Sequence, residues 1–504
     1  MKRTSNIDLV YAFQLARCTL APTKWLHPRY LRDQPDETDD DERANKHTRL
    51  TEGQGIDFSC IWAVEFYPPS RIEALIDSLE KFGLEKMLAG TGRPDQSPIR
   101  WLRELRTRPS GGGWLNLGYL FREKRRYMSG LGMEAPLPEF AEIASLAMFS
   151  VAPSFVAITA TFFVRDEYSK QYEDEIQTDR TTVLKPLPRG YSMIGPESQK
   201  RRSIARLRSG YRGQIRDWFK DALPGLFSGS EPQIGPPVCE LLLLEGGEPF
   251  AKGAFGSATD VLGVQDWYLA YEAEQWPGLK FSPTVGRDGE RHMHAVLVAD
   301  SDQLPSVKDK GYGSDRSSHA HYFDRSITSL MVQWGAIAAL SHFELRLSQI
   351  RDLSVGWTAR NARRTLAELQ TLNIESLDLT SVCRDFASME TSWTGQPTFR
   401  PIDPRDADHG NLSDGWGRWI ASRAKRALEE DAAVKGLTTQ HANILAAREN
   451  LNLQWSVRAV TIVALVISAI ATAEPGKHLA DHVYDRVCPK TSSVSACVWY
   501  SEFR

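Results

Sequence analysis

Two closely spaced histidine pairs are the first candidates for ligand chemistry. His292 and His294 are separated by one residue, as are His319 and His321, and the carboxylate Asp324 follows the second pair. Alternate residues of a β-strand face the same side, so His292 and His294 could hold one metal ion through their imidazole nitrogens. Ordinary strand and loop histidines are the alternative, because no Cys-x-x-Cys or His-Glu-x-x-His spacing accompanies them.

A basic helix is predicted over residues 198–221. Apolar residues recur along it at helical spacing, and cations occupy much of the remaining surface. Such a helix could bind the phosphates of lipid, nucleotide or nucleic acid, or it could be a surface helix paired with the acidic segment Glu167–Asp179. The candidate phosphate ligands are Arg201, Arg202, Arg208, Arg212 and Arg216.

Known catalytic and nucleotide-binding signatures are missing from the sequence. Gly111-Gly112-Gly113 precedes a predicted strand and has no following Lys-Ser/Thr, so it is interpreted as a turn and not as a phosphate-binding loop. Neither a nucleophile elbow nor a dinucleotide fingerprint is present. The sequence therefore favours a non-enzymatic protein, leaves a metal-dependent enzyme as an alternative, and indicates no particular cofactor.

The composition is that of a globular protein. The 504 residues are 41% hydrophobic and 25% charged, which argues against global disorder, and the net charge of -3 predicts no specific nucleic-acid partner. Asp8 and Arg17 interrupt the N-terminal apolar run, so no signal peptide is predicted. The first 450 residues are therefore expected in the cytoplasm.

An α+β fold is predicted, with a mixed-sheet α/β region over residues 1–310. Ile56–Phe66 is rich in β-branched and aromatic residues and predicts a strand, and the segment after it predicts a helix that ends at Gly83. Strands outnumber helices in this region, which favours a mixed sheet over strict β-α-β alternation. The acidic segment 32–55 has few apolar residues and is interpreted as a flexible, solvated loop.

Residues 319–455 are predicted to form a helical bundle and a stalk. Ser326–Phe343 carries no formal charge and is interpreted as a buried helix, although a second membrane span is the alternative. A following helix is predicted to stop at Gly436, and another then leads toward the C-terminus. The second of these helices carries apolar residues at heptad spacing, typical of a short coiled-coil stalk: Leu437, Ile444 and Leu451.

A single transmembrane helix is predicted over residues 456–473. Ala459–Ala473 contains no charged residue, but its 15 residues span only about 22 Å of helix. A start near Trp455 reaches about 28 Å, closer to the roughly 30 Å hydrocarbon core. Trp455 and Arg458 suit the membrane interface at the start of the span.

The flanks of this helix predict its orientation and its contacts. Cations are in excess before the span, which places the N-terminal region in the cytoplasm and the tail 474–504 outside. In that oxidising space, Cys488 and Cys497 could form a disulfide, with two unpaired thiols as the alternative. Small residues spaced by four predict close helix–helix association in the membrane, and hence a homo-oligomer: Ala464, Ser468 and Thr472.

This layout resembles the CorA-type metal-ion transporters, in which a cytoplasmic α/β domain is followed by helices and by a long helix that enters the membrane near the C-terminus. That family has two spans joined by a Gly-Met-Asn motif. Here Glu474-Pro475-Gly476 follows the span and no second span is present, so no residue of the family motif carries over.

Together these patterns predict a single-pass protein of the cell membrane. The leading hypothesis is a cytoplasmic sensor, effector or scaffold that binds an unidentified ligand or protein and self-associates through its stalk and span. The first alternative is an ion channel or transporter oligomer, and the second is a membrane-bound enzyme that uses His292 and His294.

Overall fold

The structure of the protein is a computed structural model that is described for most of the chain. The described residues are 37–83, 97–107, 113–123, 132–187, 190–229, 235–251, 257–264, 270–283, 294–304, 317–355, 377–388, 396–403, 405, 410–472 and 486. The first 36 residues and the two tail cysteines Cys488 and Cys497 lie outside them.

The central element is a ten-stranded mixed sheet. In chain order the strands are β1 (Gly55–Tyr67), β2 (Gly113–Phe121), β3 (Gly132–Glu134), β4 (Ala141–Ala152), β5 (Phe155–Val164), β6 (Val183–Leu187), β7 (Gly190–Ile194), β8 (Val238–Glu245), β9 (Tyr271–Ala273), β10 (Leu279–Ser282), β11 (His294–Asp300) and β12 (Phe399–Pro401). The sheet order is β12-β9-β10-β11-β8-β1-β5-β4-β2-β3, while β6 and β7 form a separate antiparallel pair. The β8–β11 and β2–β3 pairs are parallel and the others are antiparallel.

Helices cover both faces of this sheet. They are α1 (Glu37–Thr48), α2 (Ile72–Phe82), α3 (Pro98–Arg106), α4 (Asp166–Gln177), α5 (Pro196–Ala222), α6 (Leu226–Gly229), α7 (Ala258–Val261), α8 (Ser317–Val355), α9 (377–388) and α10 (Leu412–Thr472). The described part of the chain is therefore mixed α/β, as predicted, with a mixed sheet and one long apolar helix at its C-terminal end.

Strand β1 shows how the two faces are separated. A bulge between Phe58 and Cys60 inserts one extra residue, so Phe58 and Ile61 point to the same face despite their spacing of three. Trp62 and Phe66 point to the opposite face because side chains alternate along a strand. The strand is buried over almost its whole length, which explains its continuous apolar sequence.

The first face, here called the α5 face, is covered mainly by α4 and α5. Aromatic rings fill the space between these helices and the sheet: Phe58 lies 4.9 Å from Tyr172, and Phe162 lies 5.2 Å from Trp218. The basic helix predicted over 198–221 is therefore present as α5. It passes through both of its internal glycines without a break.

The second face, here called the α8 face, is covered by α8, α9 and the first turns of α10. The rings of Phe66 and Phe155 stack at 4.2 Å, and Trp334 of α8 lies 5.4 Å from Trp416 of α10. Gly335 of α8 lies so close to the sheet that an added Cβ would be 2.2 Å from the Phe66 ring. The apolar segment 326–343 lies within α8 and is mostly buried, in agreement with its interpretation as a buried helix.

The acidic segment differs from its predicted form. Residues 37–48 of the expected loop form α1. Its polar side chains bind the backbone beyond α4: Thr182 donates its backbone N–H to Asp41, and Asn45 donates to the Arg180 carbonyl at 2.7 Å while accepting the Arg180 N–H at 3.0 Å. The prediction of a flexible loop is wrong for these residues, because long-range hydrogen bonds substitute for the missing apolar face.

Helix α10 is continuous over 61 residues and does not stop at Gly436. A glycine inside a helix costs about 1 kcal/mol relative to alanine but does not prevent the helical conformation. Its apolar C-terminal part is exposed, with Ile462 at 61% and Leu465 at 65%. Among the described residues, α10 is the helix that is long and apolar enough to cross a membrane.

The chain forms two compact units. One contains residues 1–342 and 381–425, and the other contains 343–380 and 426–504. These units do not coincide with the division predicted between residues 310 and 319, because the first part of α8 packs on the sheet. The domain boundaries of the sequence analysis therefore stay predictions.

Candidate functional site

A cavity of about 450 Å³ lies on the α8 face, between the sheet and the first turns of α8. Its volume is within the range of about 300–1,000 Å³ that is typical of small-molecule sites. Strands β2 and β4 contribute Trp114, Asn116, Tyr119, Ser145, Ala147 and Phe149. Helix α8 contributes His321, Asp324, Arg325, Thr328 and Ser329.

The sheet side of this cavity is organised as one row of cross-strand neighbours. Trp62 pairs with Thr161, Thr161 pairs with Ser145, and Ser145 pairs with Tyr119, so the row crosses β1, β5, β4 and β2. Directly paired residues of an antiparallel sheet have Cβ atoms about 4.5–5.5 Å apart. The row therefore presents several polar groups side by side to one point on α8.

That point is the carboxylate of Asp324. Its Oδ1 accepts the indole N–H of Trp62 at 2.9 Å and the hydroxyl of Thr161 at 2.5 Å, while its Oδ2 accepts the hydroxyl of Ser145 at 3.2 Å. Each of the three donors belongs to a different strand. The arrangement fixes both oxygens of one acid at the wall of the cavity.

The electrostatic environment of Asp324 is unusual for a carboxylate. Burial raises its pKa, and the hydrogen bonds from Thr161 and Trp62 lower the pKa by a smaller amount. His321 contributes a further lowering when it is protonated. Within the described part of the chain, Asp324 forms no ion pair with lysine or arginine. Its partners are therefore neutral hydrogen-bond donors and one titratable imidazole.

Aromatic rings line the remaining walls of the cavity. The ring of His321 stacks on Phe163 at 4.1 Å and lies 6.2 Å from Tyr119. At the mouth, the guanidinium carbon of the exposed Arg325 lies 5.2 Å from the centre of the Trp114 ring. Trp114 is 46% exposed, so this part of the cavity is accessible to solvent. The cavity thus has an acid inside and a cation at its entrance.

A bulge in β2 positions the cavity residues of that strand. The register shifts between Asn116 and Gly118, and Gly118 has a φ of 99°, a conformation that favours glycine. The Gly118 N–H donates to the Asn116 side chain at 2.8 Å, which stabilises the bulge. Because of the extra residue, Asn116 and Tyr119 both line the cavity although they are three residues apart.

A second polar cluster is enclosed on the α5 face around Glu240. Arg208 of α5 donates two hydrogen bonds to Oε1 of Glu240, one of them from Nε at 2.8 Å. Tyr172 donates its hydroxyl to Oε2 at 2.7 Å, and His294 Nε2 lies 3.2 Å from the same oxygen. Arg208 and His294 are two residues that the sequence analysis assigned to different sites, and the structure places both on one carboxylate.

This cluster is electrostatically balanced. Burial alone would raise the pKa of Glu240, but the charge of Arg208 and its hydrogen bonds lower it to about 2. Burial lowers the pKa of His294, against the raising effect of Glu240, which favours a neutral imidazole. The closed environment and the satisfied charges support a structural role for the cluster.

The arginines predicted to bind phosphate do not share one environment. Arg208 is buried against Glu240, and Arg201 forms an ion pair with the buried Asp260. These two guanidinium groups already have protein carboxylates as partners.

The other three arginines of α5 lie in different positions. Arg202 is exposed, Arg212 is half-buried, and Arg216 binds its neighbour Asp217 at 2.8 Å. The described residues therefore do not bring the five predicted ligands to one site, and phosphate binding by this helix stays a prediction.

The remaining predicted site residues are placed as follows. His294 opens β11, whereas His292 lies outside the described residues, so the pair is not tested as a metal site. No group of three potential metal ligands comes together among the described residues. Ala464 and Ser468 lie on α10 and are half-exposed, and Thr472 is the last residue of that helix.

Sequence reasoning identified one part of the cavity and missed the rest. His321 and the nearby Asp324 were noted in the sequence, but the metal site was predicted at His292 and His294. Trp62, Ser145 and Thr161 lie on three strands far apart in the sequence, and no local pattern connects them. Only the strand register brings them together.

In comparisons with models of known protein families and with well-characterised proteins, this chain matches none.

Proposed function

We propose that the protein is a membrane-tethered, non-enzymatic sensor or effector that binds a small molecule in the Asp324 cavity. The observation that carries this proposal is the cavity itself, which combines a fixed carboxylate, aromatic walls and an entrance open to solvent. Concave sites with a few convergent polar groups and a titratable group of perturbed pKa are the usual form of ligand-binding sites.

Helix α8 supports a role in signalling. The residues that line the cavity lie in its first turns, and the same helix continues without interruption to Val355. Its last part belongs to the second compact unit. A ligand that contacts His321 and Thr328 therefore contacts a helix whose later residues belong to the other unit.

Helix α10 supports attachment to a membrane. An 18-residue stretch of it is apolar and none of that stretch is buried, which would be unfavourable in water and favourable in a lipid bilayer. The excess of cations before the span supports a cytoplasmic position for the cavity and an external position for the C-terminal tail. Accessibility of cysteines introduced on either side of the span, tested in sealed vesicles, measures this orientation.

The stalk supports self-association. Leu437, Ile444 and Leu451 are 41%, 54% and 55% exposed, and their heptad spacing places them on one side of α10. A second copy of the same chain would cover this seam, because a parallel pair held in one membrane aligns identical residues. Ala464 and Ser468 would continue the contact within the bilayer.

The binding role is tested by blocking the cavity in the full chain in lipid nanodiscs. Thermal stabilisation is measured against a library of small metabolites that includes cations, anions, zwitterions and neutral compounds. Ala147→Trp, which places an indole in the cavity, should abolish stabilisation by the active compounds. The matched control Ala205→Trp, at an exposed position of α5, should preserve it.

Three results would contradict the proposal. The absence of any compound that stabilises the wild type but not Ala147→Trp would remove the binding role. Chemical turnover of a bound compound would identify the protein as an enzyme. Ion flux through liposomes that contain the purified chain would assign it to ion transport instead.

A further inference from the structure

We propose that the ligand of the Asp324 cavity is a small organic ammonium compound with an apolar or aromatic body. Its protonated nitrogen would bind Oδ2 of Asp324, and its body would lie along Trp114, Tyr119 and Phe149. This inference rests on the proposed binding role of the cavity and specifies the chemical class of the ligand.

The hydrogen-bonding capacity of Asp324 provides the first argument. An ionised carboxylate offers about four acceptor positions, two on each oxygen. Oδ1 is occupied by Trp62 and Thr161, whereas Oδ2 accepts one described hydrogen bond, from Ser145. One acceptor position therefore remains on Oδ2. Asp324 and Ser145 both line the cavity, so a ligand that fills it can reach this position.

The charge balance provides the second argument. Asp324 is half-buried, and a carboxylate that is withdrawn from water is costly unless a cation accompanies it. The Arg208–Glu240 pair shows how this chain satisfies a buried acid when the partner is a protein residue. Asp324 instead has three neutral donors and the half-buried His321. A cationic ligand would supply the missing charge.

The walls of the cavity provide the third argument. The electron-rich faces of aromatic rings attract cations as well as apolar groups. Trp114, Tyr119 and Phe149 occupy the wall formed by β2 and β4. Arg325 also lines the cavity, but its side chain is exposed and lies over Trp114, so solvent would screen its repulsion of a bound cation. It would favour a ligand that also carries a carboxylate close to its ammonium group, because the two ligand charges could then bind Asp324 and its neighbour Arg325.

A matched series of compounds tests the class directly. The probes are phenethylamine, phenylalanine, 2-phenylethanol and 3-phenylpropionate, which share a ring and differ in charge, and binding to the full chain in nanodiscs is measured by calorimetry. We expect phenethylamine and phenylalanine to bind about tenfold or more tightly than the other two. Their ammonium groups can form a charge-assisted hydrogen bond with Asp324, whereas 2-phenylethanol can form only a hydrogen bond from a neutral hydroxyl and the carboxylate of 3-phenylpropionate is repelled. Asp324→Asn should remove this preference.

A second variant keeps the test informative if Asp324→Asn does not fold. Arg325→Gln alters an exposed side chain and should leave the fold intact. It should reduce the affinity for phenylalanine several-fold while leaving that for phenethylamine unchanged or improved. The reason is that only phenylalanine carries a carboxylate that Arg325 could bind.

The outcomes separate this inference from the binding role on which it rests. Preferential binding of 3-phenylpropionate, or equal binding of all four probes, would overturn the ammonium class while the cavity remained a binding site. The ammonium class is also wrong if none of the four probes binds and the library yields only anionic or neutral compounds whose stabilising effect is lost in Ala147→Trp. If the library yields no cavity-dependent compound, the binding role fails as well.

Discussion

The Arg208–Glu240 pair is predicted to be a major local contributor to stability. Replacing Arg208 by Met would leave Glu240 buried with only Tyr172 and His294 as partners. Removal of one member of a buried ion pair costs about 3–5 kcal/mol. The pKa of Glu240 is lowered to about 2 although burial raises it, so the attraction of Arg208 outweighs the cost of burying the acid.

Hydrogen exchange of the β8 amides is a suitable assay, because it reports local opening in a chain with two units that need not unfold together. A loss of about 3–5 kcal/mol should accelerate exchange in Val238–Glu245 by about 10²- to 10⁴-fold at pH 7, provided that these amides exchange through the opening that the substitution makes easier. Arg206→Met is the matched control, since Arg206 is exposed on the same helix. It should change the exchange rate less than about threefold.

Two further measurements make the reasoning refutable. The double variant Arg208→Met with Glu240→Leu should be more stable than Arg208→Met alone, because it removes the uncompensated charge. Since the folded pKa of Glu240 lies below the unfolded value, its contribution is complete above about pH 5 and is lost as the pH falls toward 2. Equal exchange in Arg208→Met and Arg206→Met at pH 7, or a double variant less stable than the single one, would refute the assignment.

Three other perturbations have defined outcomes. Burial raises the pKa of Glu65 to about 7, so its contribution to stability is complete below about pH 4.5 and is lost as the pH rises through 7. Thermal melts across this range should show a loss of stability of up to about 3 kcal/mol, and Glu65→Gln should make that loss smaller. Gly335→Ala should lower stability by about 1–3 kcal/mol because its Cβ would collide with the sheet, whereas Gly210→Ala, with nothing within 4 Å, should raise it by up to about 1 kcal/mol in the same melts. Ile444→Asp combined with Leu451→Asp should shift the mass of the nanodisc-embedded species toward the monomer, and an unchanged mass would exclude the stalk as the interface.

The fold was predictable where the sequence pattern is local. The bounds of strand β1 and helix α5 were predicted to within two residues. The first is a continuous run of apolar residues, and the second has apolar residues at helical spacing among many cations. Strand β4 was missed, although it lies in the middle of the half-sheet that carries the cavity. Its sequence, Ala141–Ala152, contains several alanines and serines, which lack the β-branched signal used to recognise strands.

Helix α1 was missed because its sequence is almost entirely polar. Its mean composition is strongly polar, and it has no apolar face from which a helix can be inferred. The contacts that stabilise it, such as that between Asn45 and Arg180, join residues 135 positions apart. Sequence patterns within a short window contain no information about partners at that distance.

The acidic side chains Glu240 and Asp324, on opposite faces of the sheet, have different kinds of partner, and this difference is the strongest guide to function. On the α5 face, Glu240 is enclosed and its charge is balanced by Arg208, so no further group is needed. On the α8 face, Asp324 is held by neutral donors at the wall of a cavity that opens to solvent. A carboxylate required only for packing could be replaced by an apolar residue at little cost. Its position beside an accessible aromatic wall is explained if a ligand supplies the balancing charge.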